Sequence, residues 1–99
     1  MLNTVHYDGP KATPLLIAHG LFGSARNWNV IAKRLSVARP VVVVDMRNHG
    51  ASPWFNTQSY PDMAADLAQV MTEPMHVLGH SMGGKAAMVL ALRHPDLLR

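Results

Sequence analysis

The chain has 99 residues, 48% of them hydrophobic, and contains no cysteine. This length allows one domain at most, since domains typically run to about 100–150 residues. The absence of cysteine excludes disulfide frameworks, thiolate zinc sites and cysteine nucleophiles. The formal net charge is +3, but only Lys33 and Arg34 are adjacent basic residues, so no basic patch favours nucleic-acid binding.

The start of the chain carries no targeting pattern. The segment Met1–Asp8 lacks the basic and apolar regions of a signal peptide. No apolar run approaches the roughly 20 residues that a membrane-spanning helix needs. The expectation is therefore a cytoplasmic protein without a membrane span.

Three short hydrophobic runs, each preceded by proline, predict β-strands. They are Leu15–Ala18, Val41–Val44 and Met75–Leu78. The first two are nearly uninterrupted, which is typical of strands buried on both faces. A further strand is expected near Thr4–Tyr7.

Helical spacing of apolar residues follows the first and third of these strands. Trp28, Ile31 and Leu35 predict one helix, with Ser24 as its N-cap. Another helix is predicted over Met82–Arg93, because a proline two residues later ends it.

The helix between the second and third strands begins at a capping pattern. Ser59 is followed three residues later by Asp62, and Pro61 lies in the first turn. The apolar residues that follow at helical spacing are Met63, Leu67, Val70 and Met71. Strands alternating with helices predict an α/β fold with parallel strands. We expect Leu15–Ala18 in the centre of the sheet, flanked by the other two strands with unpaired outer edges.

The segment Gly79–Gly83 reads Gly-His-Ser-Met-Gly between a predicted strand and a predicted helix. Between a strand and a helix this pattern is typical of the nucleophile elbow of serine hydrolases, and the alternative is a glycine-rich turn with an unreactive serine. Gly79 and Gly83 leave room for a tight turn at Ser81. His80 lies inside the elbow, where it is interpreted as a packing or hydrogen-bonding neighbour.

A second glycine-containing loop follows the first strand, at the same edge of the sheet. It begins His19-Gly20-Leu21 and supports the elbow. Acyl transfer needs two N–H donors at the developing oxyanion. Met82, directly after the serine, and Leu21 are the candidates.

We expect no acid and no base of a catalytic triad within these 99 residues. In this arrangement the order along the chain is serine, then acid, then histidine, which excludes His19 as the base. Downstream of Ser81 only His94 and Asp96 remain. They lie about 18 Å away by helical rise and cannot reach the serine.

Two further functions of the polar residues, catalysis by the loop after the second strand and metal binding, are disfavoured. The loop Asp45–Pro53 is expected to hydrogen-bond within itself beside the site rather than to catalyse. His76 and His80 would diverge on a strand and turn, so no metal site is expected, and nothing implies a cofactor.

The three segments His19–Ser24, Asp45–Gly50 and Gly79–Lys85 together resemble the α/β-hydrolase superfamily, and within it the small YbfF-type esterases. The resemblance implies a three-layer α/β fold. It also implies hydrolysis of a small-molecule carboxylic ester through an acyl-enzyme on Ser81.

Members of that family are considerably longer, so residues 1–99 are expected to be the N-terminal portion of a single α/β-hydrolase domain. The chain by itself is then expected to be inactive. Acyl transfer and thioester hydrolysis remain alternatives. A nucleotide-binding loop ending at Gly84-Lys85 is disfavoured, because Ala86 follows where that loop needs a hydroxyl.

Overall fold

A computed structural model describes residues 1–99 as alternating strands and helices. The strands are β1 (Thr4–Tyr7), β2 (Leu15–Ala18), β3 (Val41–Val44) and β4 (His76–Gly79). The α-helices are α1 (Asn29–Leu35), α2 (Tyr60–Val70) and α3 (Met82–Arg93), and 3-10 helices span Ala25–Trp28 and Pro95–Leu97. The predicted α/β class is confirmed. No helix combines the length and the apolar character needed to cross a membrane.

The four strands form one sheet in the order β1-β3-β2-β4. As predicted, β2 lies between β3 and β4 and runs parallel to both. The expectation that β3 has a free outer edge is wrong, because β1 pairs with it in antiparallel orientation. Hydrophobic runs identify strands but not their partners, and the N-terminal segment takes the edge that the pattern left open.

Both faces of the sheet are buried. Leu16 faces a core shared with α2 and α3, and the adjacent Ile17 faces a smaller core on the other side. Both side chains are completely buried. The helices therefore cover the sheet on two sides, which gives the three layers expected from the sequence.

The helix after β2 differs from its prediction. Trp28 and Leu35 pack against the smaller core, but Ile31 is 45% exposed and Ala32 takes the fully buried position. The cause is the 3-10 helix at Ala25–Trp28, which has about three residues per turn and breaks the 3.6-residue periodicity.

The boundaries of α2 and β4 follow local chemistry. The Ser59 hydroxyl accepts a hydrogen bond from the Asp62 N–H at 3.2 Å, as the capping pattern predicts. Met71 is extended and lies outside α2, although its side chain is buried. The strand β4 begins at His76, one residue later than predicted, and includes Gly79.

Candidate functional site

Ser81 occupies the tight turn between β4 and α3, with its side chain exposed. Its φ is 53°, in the left-handed region that residues with a Cβ rarely adopt. Such strain persists only where the surrounding structure enforces it. Met82 is the first residue of α3, so its N–H has no partner within the helix.

The two glycines that bracket this turn are required by steric contact. A Cβ on Gly79 would lie 2.5 Å from the carbonyl oxygen of Gly83. A Cβ on Gly83 would lie 2.6 Å from the carbonyl oxygen of His19. The turn therefore presses β4, α3 and the end of β2 together more closely than any side chain at these positions would permit.

A cavity of about 620 Å³ opens beside Ser81. Leu21 and Met82 line it together with Ser81, so the three residues that the sequence assigns to one site lie around one cavity. The opposite wall comes from the start of α2 and the segment before it, including Gln58 and Tyr60. No histidine or carboxylate lines the cavity, and His94 and Asp96 follow the far end of α3.

His19 is completely buried under the loop that carries Leu21. Its Nδ1 lies 2.7 Å from the carbonyl oxygen of Gly20, and its Nε2 accepts a hydrogen bond from the Met46 N–H at 2.9 Å. Burial lowers the pKa of His19 below 6.5, which keeps the imidazole neutral. His19 thus ties the end of β2 to the loop after β3, and its role in supporting the site stays a prediction.

A second buried histidine, His49, lies beside it. The ring centroids of His19 and His49 are 5.1 Å apart. His49 Nε2 accepts a hydrogen bond from the Phe22 N–H at 3.1 Å, and its Nδ1 lies 2.8 Å from the carbonyl oxygen of Arg47. The sequence analysis did not single out His49, because no local pattern shows which side chain lies above the Leu21 loop.

The Asp45 carboxylate organises the loop after β3. It accepts hydrogen bonds from the N–H groups of Ala25 at 2.8 Å and Ala51 at 3.1 Å, and from the side-chain amide of Asn3 at 2.8 Å. Burial raises the pKa of Asp45, but these hydrogen bonds outweigh it and hold the pKa below its ordinary value. The predicted hydrogen bonding within Asp45–Pro53 is confirmed, and it extends to the N-terminal segment.

Arg47 joins the same loop to α2. Its Nε lies 2.6 Å from Asp66 Oδ2 and its Nη2 lies 3.0 Å from Asp66 Oδ1, a bidentate pair that raises the pKa of Arg47. The guanidinium also stacks on Phe55 at 4.4 Å and donates a hydrogen bond to Thr57 Oγ1 at 3.0 Å. These contacts fix the segment that leads to Gln58 at the cavity. Asp66 was not predicted, since it looks like an ordinary polar position of a helix.

His80 lies away from this cavity. Its side chain is exposed and meets Trp28 edge to face, with ring centroids 6.0 Å apart. Together with Ile31 these residues line a neighbouring cavity beyond the Leu21 loop. His80 therefore packs against the helix region after β2, and its role in supporting the elbow stays a prediction.

Comparison with known proteins matches residues 13–99 to a family model described as the alpha/beta hydrolase fold. The chain is 43% identical over 99 residues to the sn-1-specific diacylglycerol lipase ABHD11 of Xenopus laevis, covering 93% of this chain and 32% of that protein. It is 44% identical over 88 residues to esterase YbfF of Escherichia coli, covering 85% and 35%.

Two further similarities bear on the site. Ethanol acetyltransferase 1 of Kluyveromyces lactis is 33% identical over 103 residues, covering 98% of this chain and 27% of that protein. The solved structure of a marine microorganism esterase matches with a TM-score of 0.94 and 41% identity, covering 99% of this chain and 39% of that one. The chain spans about a third of the length of the curated relatives it matches.

Proposed function

Since this chain belongs to the α/β-hydrolase fold family, we propose that Ser81 is the nucleophile of a serine hydrolase that cleaves carboxylic esters. One observation carries the proposal. Ser81 holds an exposed side chain on a strained turn, between a parallel strand and a helix N-terminus, at the mouth of a cavity. An exposed hydroxyl on a residue whose backbone is held in a strained conformation is typical of a nucleophile.

In the proposed reaction, Ser81 Oγ attacks the ester carbonyl carbon and transfers its proton to a base. The N–H groups of Leu21 and Met82 stabilise the oxyanion of the tetrahedral intermediate. The intermediate collapses to an acyl-enzyme on Ser81, and the protonated base gives its proton to the leaving oxygen, which departs as the alcohol. Water then attacks the acyl carbon while the base takes one of its protons. The base passes that proton to Ser81 Oγ as the carboxylic acid leaves.

We place the base and its acid partner outside these 99 residues. In this proposal residues 1–99 are the N-terminal portion of a single α/β-hydrolase domain, and the rest of the domain supplies the histidine and the carboxylate. The cavity lining supports this assignment, since neither group is among its residues. Ser81 without a base has little means of losing its proton, so the 99 residues alone are expected to show negligible turnover.

The test uses the full-length protein that contains this chain. Wild type should hydrolyse p-nitrophenyl butyrate and react covalently with a fluorophosphonate, and Ser81→Ala should abolish both. Ser36→Ala is the matched control, because Ser36 follows α1 and bonds only to local backbone. An unaltered rate in Ser81→Ala would show that the nucleophile lies elsewhere.

Acyl transfer to an alcohol is the second candidate. The similarity to an ethanol acetyltransferase favours it, and both reactions proceed through the same acyl-enzyme. Product analysis with added ethanol separates the two. At low ethanol concentration a hydrolase yields free acid as its main product, because water is in large excess, whereas a transferase yields ethyl ester in preference to acid. Parallel assays with an acyl thioester separate thioester hydrolysis from both.

A further inference from the structure

We propose that His49 is a positioning residue for the oxyanion site: its buried imidazole holds the Leu21–Phe22 segment, so that the Leu21 N–H points at the substrate carbonyl oxygen. The inference rests on the proposed function, because it assigns a support to one of the proposed oxyanion donors. His49 itself does not line the cavity beside Ser81.

The segment that carries the donor is not anchored by its own side chains. Leu21 is 54% exposed and Phe22 is 91% exposed. Phe22 also has a φ of 63°, a conformation disfavoured for a residue with a Cβ. Packing therefore does little to hold this peptide in place, and an opposing constraint is needed to keep the strained conformation.

Hydrogen bonds supply that constraint. Within residues 20–23, Gly23 donates to the carbonyl oxygen of Gly20 at 3.0 Å, which closes the turn locally. The bond from the Phe22 N–H to His49 Nε2, at 3.1 Å, is the one hydrogen bond that ties residues 20–23 to a distant segment. It spans 27 positions of the sequence and acts on the peptide next to the Leu21 amide.

The His49 ring is itself held rigidly. It is 7% exposed and packs edge to face against His19. Its Nδ1 lies 2.8 Å from the carbonyl oxygen of Arg47, which can only accept, so the proton resides on Nδ1. This tautomer leaves the Nε2 lone pair free to accept from Phe22. The loop after β3 thus presents a fixed acceptor to the loop after β2.

A positioned oxyanion donor contributes mainly to the transition state, since it is aimed at charge that develops during the reaction. Loosening the Leu21 segment should therefore lower kcat and leave KM nearly unchanged. Removing an oxyanion donor outright typically costs about 100-fold to 1,000-fold in kcat, so a donor that is only loosened should cost about 10-fold.

Two substitutions in the full-length protein separate the two nitrogens of the ring. His49→Gln keeps an acceptor near the place of Nε2, whereas His49→Asn keeps a donor near the place of Nδ1 and does not reach Phe22. We expect His49→Asn to lower kcat about 10-fold, with KM within about twofold of wild type, and His49→Gln to recover most of the loss. Affinity for an aryl boronic acid, which mimics the tetrahedral oxyanion, should fall in parallel with kcat/KM in His49→Asn.

A variant-free measurement covers the case in which His49→Asn does not fold. Although the residue Phe22 is exposed, its amide should exchange its hydrogen slowly in wild type, because it donates to His49. Exchange at the rate of an unprotected amide would overturn the proposal. The exposed His94, changed to Asn, is the matched control and should leave kcat unchanged.

The outcomes distinguish this inference from the proposed function. If Ser81→Ala is inactive while His49→Asn keeps full kcat, the hydrolase assignment stands and the positioning role is overturned. If Ser81→Ala retains activity, the assignment of Ser81 as the nucleophile fails, and with it the oxyanion site on which this inference rests. Equal losses in His49→Asn and His49→Gln, with a raised KM and a lowered Tm, would mean that His49 serves folding alone.

Discussion

The buried Asp45 carboxylate offers the sharpest test of the loops behind the cavity. Its two oxygens accept from three donors, which belong to Asn3, Ala25 and Ala51. Asp45→Asn preserves the shape but replaces one oxygen by an NH2 group. Whichever way the amide lies, at least one of the three donors then faces another donor.

The expected loss of stability follows from the number of donors that are left without an acceptor. One buried donor left without an acceptor costs about 1–3 kcal/mol, and the remaining hydrogen bonds lose the strengthening effect of the negative charge. We therefore expect Asp45→Asn to lower the free energy of unfolding by about 3 kcal/mol at pH 7. Urea unfolding of the full-length protein, followed by far-UV circular dichroism, measures it. Asp8→Asn is the matched control, because Asp8 is exposed and should change the stability by less than about 0.5 kcal/mol.

The pH dependence gives a second criterion. The hydrogen bonds to Asp45 outweigh its burial and hold its pKa below the ordinary 3.8, so folding favours the ionised carboxylate. This contribution is complete above the unfolded-state pKa and is lost as the pH falls through the lower folded-state pKa. The difference in the free energy of unfolding between wild type and Asp45→Asn should therefore narrow below about pH 4. A gap that stays constant down to pH 3, or a loss no larger than that of Asp8→Asn, would refute the reasoning.

Two further predictions concern the elbow and its support. Gly83→Ala would place a Cβ 2.6 Å from the His19 carbonyl oxygen, whereas a Cβ on Gly84 has 3.2 Å to its nearest neighbour, so the first substitution should lower Tm far more than Gly84→Ala. Equal melting temperatures would contradict the close approach at Gly83. Because burial lowers the pKa of His19, the unfolded chain takes up a proton more readily, and wild type should lose stability as the pH falls below 6.5. His19→Gln, which keeps an acceptor for the Met46 N–H, should lose less between pH 7.5 and 5.5 in urea unfolding, and equal losses would contradict the assignment.

Much of the fold was predictable because its signals are local. The strands Leu15–Ala18 and Val41–Val44 and the helix Met82–Arg93 have the predicted bounds. Proline before a run and glycine after it act through backbone geometry within a few residues. The exposed Ile31 was not predictable in this way, since a 3-10 turn shifts the helical register without a distinctive sequence pattern.

In the candidate site, too, the features with a local sequence signal were predictable and the long-range contacts were not. The turn at Ser81 and the two loops beside it could be placed from the sequence, because the carboxyl ends of parallel strands share one edge of the sheet. The contacts that hold those loops were not predicted. The pair between Arg47 and Asp66 joins residues 19 positions apart, and each looks like an ordinary surface charge until the fold brings them together.

The sequence by itself determined where the strand, the tight turn and the helix lie, and hence which serine stands at the turn. These features depend on steric limits between near neighbours along the chain. Only the tertiary structure decided that β1 closes the sheet at β3, that His19 is buried and neutral, and that His49 reaches Phe22. Such contacts depend on which loops the sheet brings together. Which nitrogen of a buried histidine donates and which accepts is decided by the donor and acceptor groups that the fold places beside the ring.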